Sequence, residues 1–157
     1  MTLHDGNGWV LDERGERHWG RFGGAGLLVV DRRGPGTPTV LLQHRAAWTA
    51  DGGTWGIPGG ARDSHEDAVG AALREAYEET GLPADAVRVG GEPFVDDRGG
   101  WSYTTVLGEL VADVTLVVEA ESEDLGWFGV DEVEQRLLHP GFAKAWPVLR
   151  ARLDEAG

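Results

Sequence analysis

Short apolar segments alternate with glycine-rich or acidic segments along most of this chain, a texture typical of a mixed α/β domain. Strands are predicted where β-branched and aromatic residues concentrate, over 24–31, 38–45, 86–95, 101–110, 114–120 and 125–130. The intervening RRGPGT predicts that the first two strands form a hairpin, because its Gly and Pro cannot continue a ladder. A smaller hairpin is predicted around DERGER in the first twenty residues.

Apolar residues at helical spacing predict two helices, one over about 65–80 and one from about Pro140. A short helix is predicted at 131–138, opened by Asp131. Ser64 is the predicted N-cap of the first helix, and Gly81 followed by Pro83 should end it. The half of the first helix predicted to face the core comprises Ala68, Val69, Ala72, Leu73, Ala76 and Tyr77. The second helix carries a stripe of Phe142, Trp146, Leu149 and Leu153.

Composition limits the number of domains and the classes of partner. With 157 residues and 41% hydrophobic content, the chain can bury one core, which predicts a single domain over 1–157. A net charge of −13 argues against general binding to nucleic acid or an anionic membrane. The start of the chain lacks a signal-peptide pattern and no apolar run could span a bilayer, so a cytoplasmic protein is expected. The absence of cysteine excludes disulfides and zinc thiolate sites. The oligomeric state stays open, a dimer included.

Three acids crowd the end of the first predicted helix. Glu75, Glu78 and Glu79 share one ridge, since residues three and four apart are neighbours on a helix. Each like-charge pair costs roughly 0.2–0.5 kcal/mol, and each acid near the C-terminus roughly 0.3–1 kcal/mol. A hard divalent cation would offset both penalties, because Mg²⁺ and Mn²⁺ prefer carboxylate oxygens. A solvated acidic face is the alternative for any such helix.

The spacing of the surrounding residues favours the metal site. GGARDSHEDAVGAALREAYEETGL contains Gly60, then Glu66 after five residues, then REAYEETGL after seven more. This segment resembles the Nudix box at every fixed position, although Ala76 is smaller than the aliphatic residue usual there. TWGIPGG before the segment and EDLGWFGVDEV near the end of the chain are similar to other parts of Nudix hydrolases. The chain is therefore identified as a member of that family over about 22–135.

The resemblance implies an α/β fold, a Nudix-type α/β/α sandwich with a central mixed sheet. It also implies hydrolysis of a nucleoside diphosphate linked to another group, with Mg²⁺, or alternatively Mn²⁺, as cofactor. By analogy, the metal ligands would be Glu75, Glu78, Glu79, the carbonyl of Gly59 and Glu121. The structural positions of the motif would be Gly60, Glu66, Arg74 and Gly81. Glu79 and Glu75 are the first choices for the base, and a further ligand or base could come from Glu121, Glu123 or Asp124.

Four residues outside the motif are candidates for substrate contact. Arg21 and Arg45, beside predicted strands, could neutralise phosphate, although surface arginines usually do not. Trp101 and Tyr103 lie two apart on one strand and could stack a base, although packing is the commoner role. Motifs of several Nudix branches are missing, which leaves a nucleoside triphosphate or an oxidised nucleotide, with ADP-ribose or a nucleotide sugar as the alternative. A non-catalytic nucleotide sensor is the alternative of another class; retention of all four motif glutamates favours the enzyme.

Overall fold

A mixed sheet forms the centre of the protein, as seen in a computed structural model that describes residues 4–156. Its strands are β3 (Gly24–Asp31), β4 (Thr39–Arg45), β5 (Trp55–Gly56), β6 (Gly59–Ala61), β7 (Val87–Val89), β8 (Phe94–Asp97), β9 (Ser102–Leu110) and β10 (Ser122–Gly129). The main path runs β10-β4-β3-β9-β7, with β5, β6 and β8 pairing with β4, β3 and β9 respectively. β3 and β9 are parallel and the other pairs are antiparallel.

Two helices cover opposite faces of this sheet. Helix α1 (Ala68–Thr80) packs on one core cluster and helix α2 (Pro140–Ala156) on the other. The two core clusters are separated by the sheet, and the buried strand β3 contributes to both, because alternate residues of a strand point to opposite faces. Leu27 and Val29 belong to the α1 cluster, whereas Leu28 and Val30 belong to the α2 cluster. The α/β architecture with helices on both sides of a mixed sheet is therefore confirmed.

Both predicted hairpins are present. The ends of β3 and β4 pair antiparallel, with Val30 opposite Val40. In the N-terminal segment, β1 (Trp9–Leu11) pairs with β2 (Arg17–Trp19) in a separate two-stranded sheet. The predicted stripe on α2 is also confirmed, since Phe142, Trp146, Leu149 and Leu153 are all buried. Within residues 4–156, no helix combines the length and the apolar character needed to cross a membrane.

The segment 114–120 was predicted to be a strand and is not one. Val114 and Leu116 pack against the α1 cluster, which accounts for their apolar character. The backbone N–H of Val117 donates to the carbonyl of Thr80, so the segment lies beside the C-terminal end of α1. The apolar residues therefore cover the helix end without joining a ladder.

Several boundaries also differ from the prediction. The strand predicted at 86–95 is divided into β7 and β8, and the helix predicted at 131–138 is reduced to a 3₁₀ turn, Val133–Gln135. Helix α1 is capped by Asp67, whose side chain accepts from the N–H of Gly70, so Ser64 is not the N-cap. Gly81, in the left-handed conformation, ends α1 as predicted.

Tyr77 was predicted to face the core, but it is 61% exposed. The fully buried residues of α1 are Ala71, Ala72, Ala76 and Thr80. All four are small, so the helix lies close to the sheet. Tyr77 lies outside this buried face.

Candidate active site

The loop that contains β6 and the last two turns of α1 bring the motif residues together. Strand β6 pairs with the start of β3, with Ala25 opposite Gly60 and Gly26 opposite Gly59. A Cβ at Gly60 would collide with the carboxylate of Glu75, so only glycine allows that side chain to lie against the strand. A Cβ at Gly59 would meet the hydroxyl of Tyr103 and the carbonyl of Ala25. The two glycines therefore allow α1 and β9 to approach β6 closely.

Arg74 is the cation at the centre of the motif. Its Nε donates to Oε2 of Glu66 at 2.7 Å, and its Nη2 donates to Oε1 at 2.9 Å, which makes a bidentate pair. Nη2 also donates to the carbonyl of Ala61 at 3.0 Å. On its other side, Nη1 contacts Oε1 of Glu75 at 3.0 Å and Oε2 of Glu78 at 3.2 Å. Arg74 thus links the loop before α1 to two of the three acids of the ridge.

Glu79, the last acid of the ridge, contacts β6 and not Arg74. Its Oε2 accepts a 2.9 Å hydrogen bond from the N–H of Gly59. Burial, together with the charge of Glu75, raises the pKa of Glu79 to about 8, while the Gly59 N–H and the charge of Arg45 act in the opposite direction. Burial is also the main cause of the raised pKa of Glu75, which Arg74 partly offsets. Two neighbouring carboxylates are therefore both hard to ionise in this environment.

This donor set fits a hard divalent cation. The three side chains supply carboxylate oxygens, which Mg²⁺ and Mn²⁺ prefer. Burial disfavours the ionised forms of both Glu75 and Glu79 and raises their pKa values; Arg74 offsets this only in part for Glu75, and Arg45 only in part for Glu79. A cation bound between them would favour the ionised forms of both groups.

The residues predicted for substrate contact fall in different places. Arg45 ends β4 opposite Ser122, and its Nε donates to the carbonyl of Ala50 at 2.8 Å, while its charge helps to lower the pKa of Glu79. The charge of Arg21 instead helps to lower the pKa of Asp5, and its side chain lines a surface depression with Phe22 and Trp101. One face of Trp101 is covered by His18, whose ring stacks on it at 4.2 Å between centroids. Trp101 also donates from Nε1 to the carbonyl of Gly20 at 3.1 Å.

Tyr103 lies against two paired glycines, one in β3 and one in β6. Its hydroxyl is directed toward Gly26 and Gly59, because an added Cβ at either residue would collide with it. Burial raises the pKa of the Tyr103 phenol, and the charges of Glu79 and Glu75 raise it further. The phenol therefore stays neutral and lies against the glycines of β3 and β6.

The acidic segment after residue 120 comprises Glu121, in the turn before β10, and Glu123 and Asp124, within the strand. The charge of the exposed Glu121 raises the pKa of Glu79, so Glu121 lies on the same side of the protein as the ridge. Glu123 accepts from the N–H of Ala47 at 3.2 Å and lies 3.6 Å from Nδ1 of His44. Asp124 accepts from the N–H of Leu125. Of these acids, Glu121 has the clearer electrostatic connection to the ridge.

Two acids outside the fixed positions of the motif, Asp63 and Asp5, contact residues of the motif segment. Asp63, 1% exposed, lies 3.5 Å from Nη2 of Arg74 through its Oδ2. Asp5 accepts from both the N–H and the hydroxyl of Ser64. Sequence reasoning did not select either residue, since an isolated acid in a polar loop carries no periodic or spacing signal. The close approach of Gly6 to Arg62 could not be anticipated either.

Comparison with known proteins agrees with this geometry. The chain matches the NUDIX domain over residues 20–151 and belongs to the Nudix hydrolase family. A Mycobacterium tuberculosis protein that bears the provisional name 8-oxo-dGTP diphosphatase 3 is 48% identical over 96% of this chain and 76% of its own length. A Bifidobacterium longum protein, a nucleoside triphosphate pyrophosphatase/Nudix hydrolase fusion, is 43% identical over 96% of this chain and 32% of its own.

The solved structures include a Nudix hydrolase from M. smegmatis, RenU. It superposes with a TM-score of 0.91 at 44% identity, covering 97% of this chain and 98% of its own. The predictions of family, fold and hydrolase class are thereby confirmed. Nudix hydrolases typically depend on a divalent cation, which is consistent with the carboxylate ridge.

Proposed function

We propose that this chain is a Mg²⁺-dependent pyrophosphohydrolase that converts a nucleoside triphosphate to its monophosphate, with an oxidised purine nucleotide such as 8-oxo-dGTP as the preferred substrate. The observation that carries the proposal is the ridge of Glu75, Glu78 and Glu79, held between the guanidinium of Arg74 and the N–H of Gly59. The name of the M. tuberculosis relative supports the choice of substrate.

The three glutamates would hold the cation, with Glu121 as a candidate for a further ligand. Mn²⁺ offers the same ligand chemistry as Mg²⁺. When bound, the cation supplies charge withdrawal from the phosphate oxygens, which otherwise shield phosphorus from attack. Arg74 keeps Glu75 and Glu78 oriented, and the Gly59 N–H keeps one oxygen of Glu79 fixed.

Hydrolysis then needs one proton transfer and one substitution at phosphorus. The oxygen of a water molecule bonds to one phosphorus as the bond from that atom to the bridging oxygen breaks. The products are a nucleoside monophosphate and pyrophosphate. Glu79 is our first choice to accept the proton of the attacking water, because its carboxylate is buried and fixed by the Gly59 N–H, and a cation bound to the ridge would keep it ionised. Glu75 is the second choice, and we assign Arg45 to the neutralisation of phosphate charge because its own charge acts on Glu79.

The test is a substrate panel with purified protein and Mg²⁺. It comprises 8-oxo-dGTP, dGTP, ADP-ribose and a nucleotide sugar, each assayed for monophosphate release by chromatography, with EDTA as the control. We expect kcat/KM to be highest for 8-oxo-dGTP and turnover to cease with EDTA. A higher kcat/KM for ADP-ribose would replace the proposed substrate. Binding of nucleotides without turnover would support a sensor instead.

A further inference from the structure

A segment outside the matched family domain contacts the motif loop directly. Residues 4–8, here called the strap, precede the domain match, which starts at residue 20. The backbone carbonyl of Gly6 accepts from the N–H of Arg21 at 2.7 Å, and that of Gly8 accepts from the N–H of Gly20 at 2.8 Å. These bonds fix the strap beside the chain that leads into β3.

The opposite side of the strap binds the loop between β6 and α1. The N–H of Gly6 donates to Oδ1 of Asp63 at 2.9 Å. Asp5 accepts from the N–H of Ser64 at 2.9 Å and also from its hydroxyl. Nδ1 of His4 lies 3.4 Å from Oδ2 of Asp63. Gly6 is buried, and a Cβ there would overlap the carbonyl of Arg62, so the strap and the loop are in close contact.

Asp63 connects this contact to the catalytic carboxylates. It is 1% exposed, and its Oδ2 has no hydrogen-bond partner among residues 4–156. That oxygen lies 3.4 Å from Nδ1 of His4 and 3.5 Å from Nη2 of Arg74. A buried carboxylate of this kind needs a nearby cation. Arg74 supplies that cation on the same guanidinium that orients Glu75 and Glu78.

A second metal ion is a poor explanation for this cluster. Asp63, His65 and Glu66 do bring one ligand atom each within 4.8 Å of one another. Both oxygens of Glu66, however, already accept from Arg74, and Oε1 also accepts from the N–H of Asp63. The guanidinium therefore takes the place that a metal ion would need.

We propose that the strap is a positioning element for the catalytic metal site: it fixes Asp63 against Arg74, and this sets how tightly Glu75, Glu78 and Glu79 bind the divalent cation. The proposal rests on the metal-dependent function proposed above. Asp63 and Glu66 contact the side of the Arg74 guanidinium that faces away from Glu75 and Glu78, and they compensate part of its positive charge. Arg74 therefore neutralises less of the negative charge of Glu75 and Glu78, which stays available to the cation. Displacing the strap moves Asp63 and leaves Arg74 to pair more fully with the ridge.

Two variants perturb the strap without touching the ridge. Gly6→Ala places a methyl group against the carbonyl of Arg62, and Gly34→Ala is its control, since a Cβ at Gly34 meets nothing within 4 Å. Asp5→Ala removes both contacts to Ser64, whereas Asp5→Asn keeps one acceptor oxygen for the Ser64 N–H. Asp5 is a partly exposed residue, so its variants should fold even if Gly6→Ala does not.

The measurement is Mn²⁺ binding by electron paramagnetic resonance, together with the Mg²⁺ concentration for half-maximal turnover and the nucleotide KM at saturating Mg²⁺. We expect Gly6→Ala and Asp5→Ala to weaken metal binding by about tenfold, the lower end of the range for residues that orient metal ligands. Asp5→Asn should be intermediate, Gly34→Ala should match wild type, and the nucleotide KM should change little.

Folded strap variants with wild-type Mn²⁺ affinity would overturn the positioning role, even if their melting temperatures fell. Equal weakening of metal binding and nucleotide KM would also overturn it, because it would indicate a general distortion of the domain. Failure of the wild-type protein to bind Mn²⁺ at all would instead refute the metal-dependent function on which the proposal rests.

Discussion

The backbone N–H of Gly59 donates a 2.9 Å hydrogen bond to Oε2 of Glu79, so a strand residue holds the last acid of the helical ridge. This contact is possible because β6 lies directly against the C-terminal half of α1. The resemblance to Nudix hydrolases implied a role for the Gly59 carbonyl as a metal ligand. The structure adds a second role for the same residue through its amide, and the carbonyl's role stays a prediction.

The stability of the metal-free protein should fall as pH rises. The pKa of Glu79 is raised from its ordinary value of 4.5 to about 8 in the folded state. Between these values the folded state binds more protons than the unfolded state, so the free energy of unfolding decreases from about pH 4.5 to about pH 8. The raised pKa of Glu75 adds to this trend.

Melting temperatures in EDTA across this pH range measure the effect. Glu79→Gln cannot ionise at this position, so its melting temperature should depend less on pH. Glu92→Gln, a change at an exposed acid in another part of the protein, should retain the wild-type slope. Identical slopes for wild type and Glu79→Gln would show that Glu79 titrates near its ordinary value.

Arg74→Lys should be far from conservative. Lysine keeps the charge but cannot reproduce the bidentate pair with Glu66 or the bond to the Ala61 carbonyl. We expect the free energy of unfolding to fall by about 1–3 kcal/mol, the range for hydrogen bonds between charged groups that are lost in a partly buried site. Turnover should fall as well, because Glu75 and Glu78 lose their common partner.

Arg88→Lys is the matched control for this change. Its single ion pair, with Glu109, is exposed, so the substitution should alter stability by less than about 0.5 kcal/mol. Urea unfolding of both variants in EDTA separates the two outcomes. An Arg74→Lys protein as stable as Arg88→Lys would mean that the contacts of Arg74 contribute little to folding.

The features that were predictable from sequence have a local periodic or spacing signal. The β3–β4 hairpin follows from two apolar runs around a Gly/Pro turn, and the buried stripe of α2 follows from its helical spacing. The acidic ridge follows from three glutamates at fixed separations on α1. Each of these signals lies within one or two adjacent elements.

The features that were missed depend on contacts between distant parts of the chain. Residues 114–120 have strand-like composition, but their apolar side chains fill a space at the end of α1, which only the tertiary structure reveals. Asp63 and Asp5 are unremarkable in the sequence, yet 59 residues separate Asp5 from its partner Ser64. The same limitation applies to Trp101, whose partner His18 comes from the N-terminal hairpin.

Trp101→Leu should lower stability more than it affects substrate binding. The substitution removes the stack on His18 and the hydrogen bond to the Gly20 carbonyl, at a cost of about 1–3 kcal/mol in the free energy of unfolding. The nucleotide KM should stay within about twofold of wild type, a change of roughly 0.4 kcal/mol. His18→Ala removes the same stack from the other side and should show the same pattern.

A large rise in nucleotide KM for Trp101→Leu, with little loss of stability, would contradict this expectation. It would indicate that the nucleobase of the substrate stacks on the exposed side of Trp101, which is the substrate-binding role considered for this residue in the sequence analysis. Urea unfolding and steady-state kinetics on the same preparations distinguish the two roles.

Glu79→Gln should stabilise the metal-free protein and disable the enzyme. At neutral pH the unfolded chain holds Glu79 ionised, whereas its buried site in the folded metal-free protein disfavours the charge, and the variant is free of this cost, so its free energy of unfolding should be higher by about 1 kcal/mol or more. The amide oxygen of glutamine can still accept from the Gly59 N–H, so the local geometry should persist. Saturating Mg²⁺ should reverse the order of stability, since wild type gains roughly 2.7 kcal/mol at a hundred times the dissociation constant.

Turnover of Glu79→Gln should fall by orders of magnitude, because both a metal ligand and the first-choice proton acceptor are lost. Melting curves with EDTA and with excess Mg²⁺, measured beside the rates, test these expectations together, and Glu92→Gln again serves as the control. If Glu79→Gln destabilised the metal-free protein while Mg²⁺ stabilisation and turnover stayed intact, Glu79 would be a structural acid. The raised pKa would then reflect burial alone, and the ridge would need another explanation.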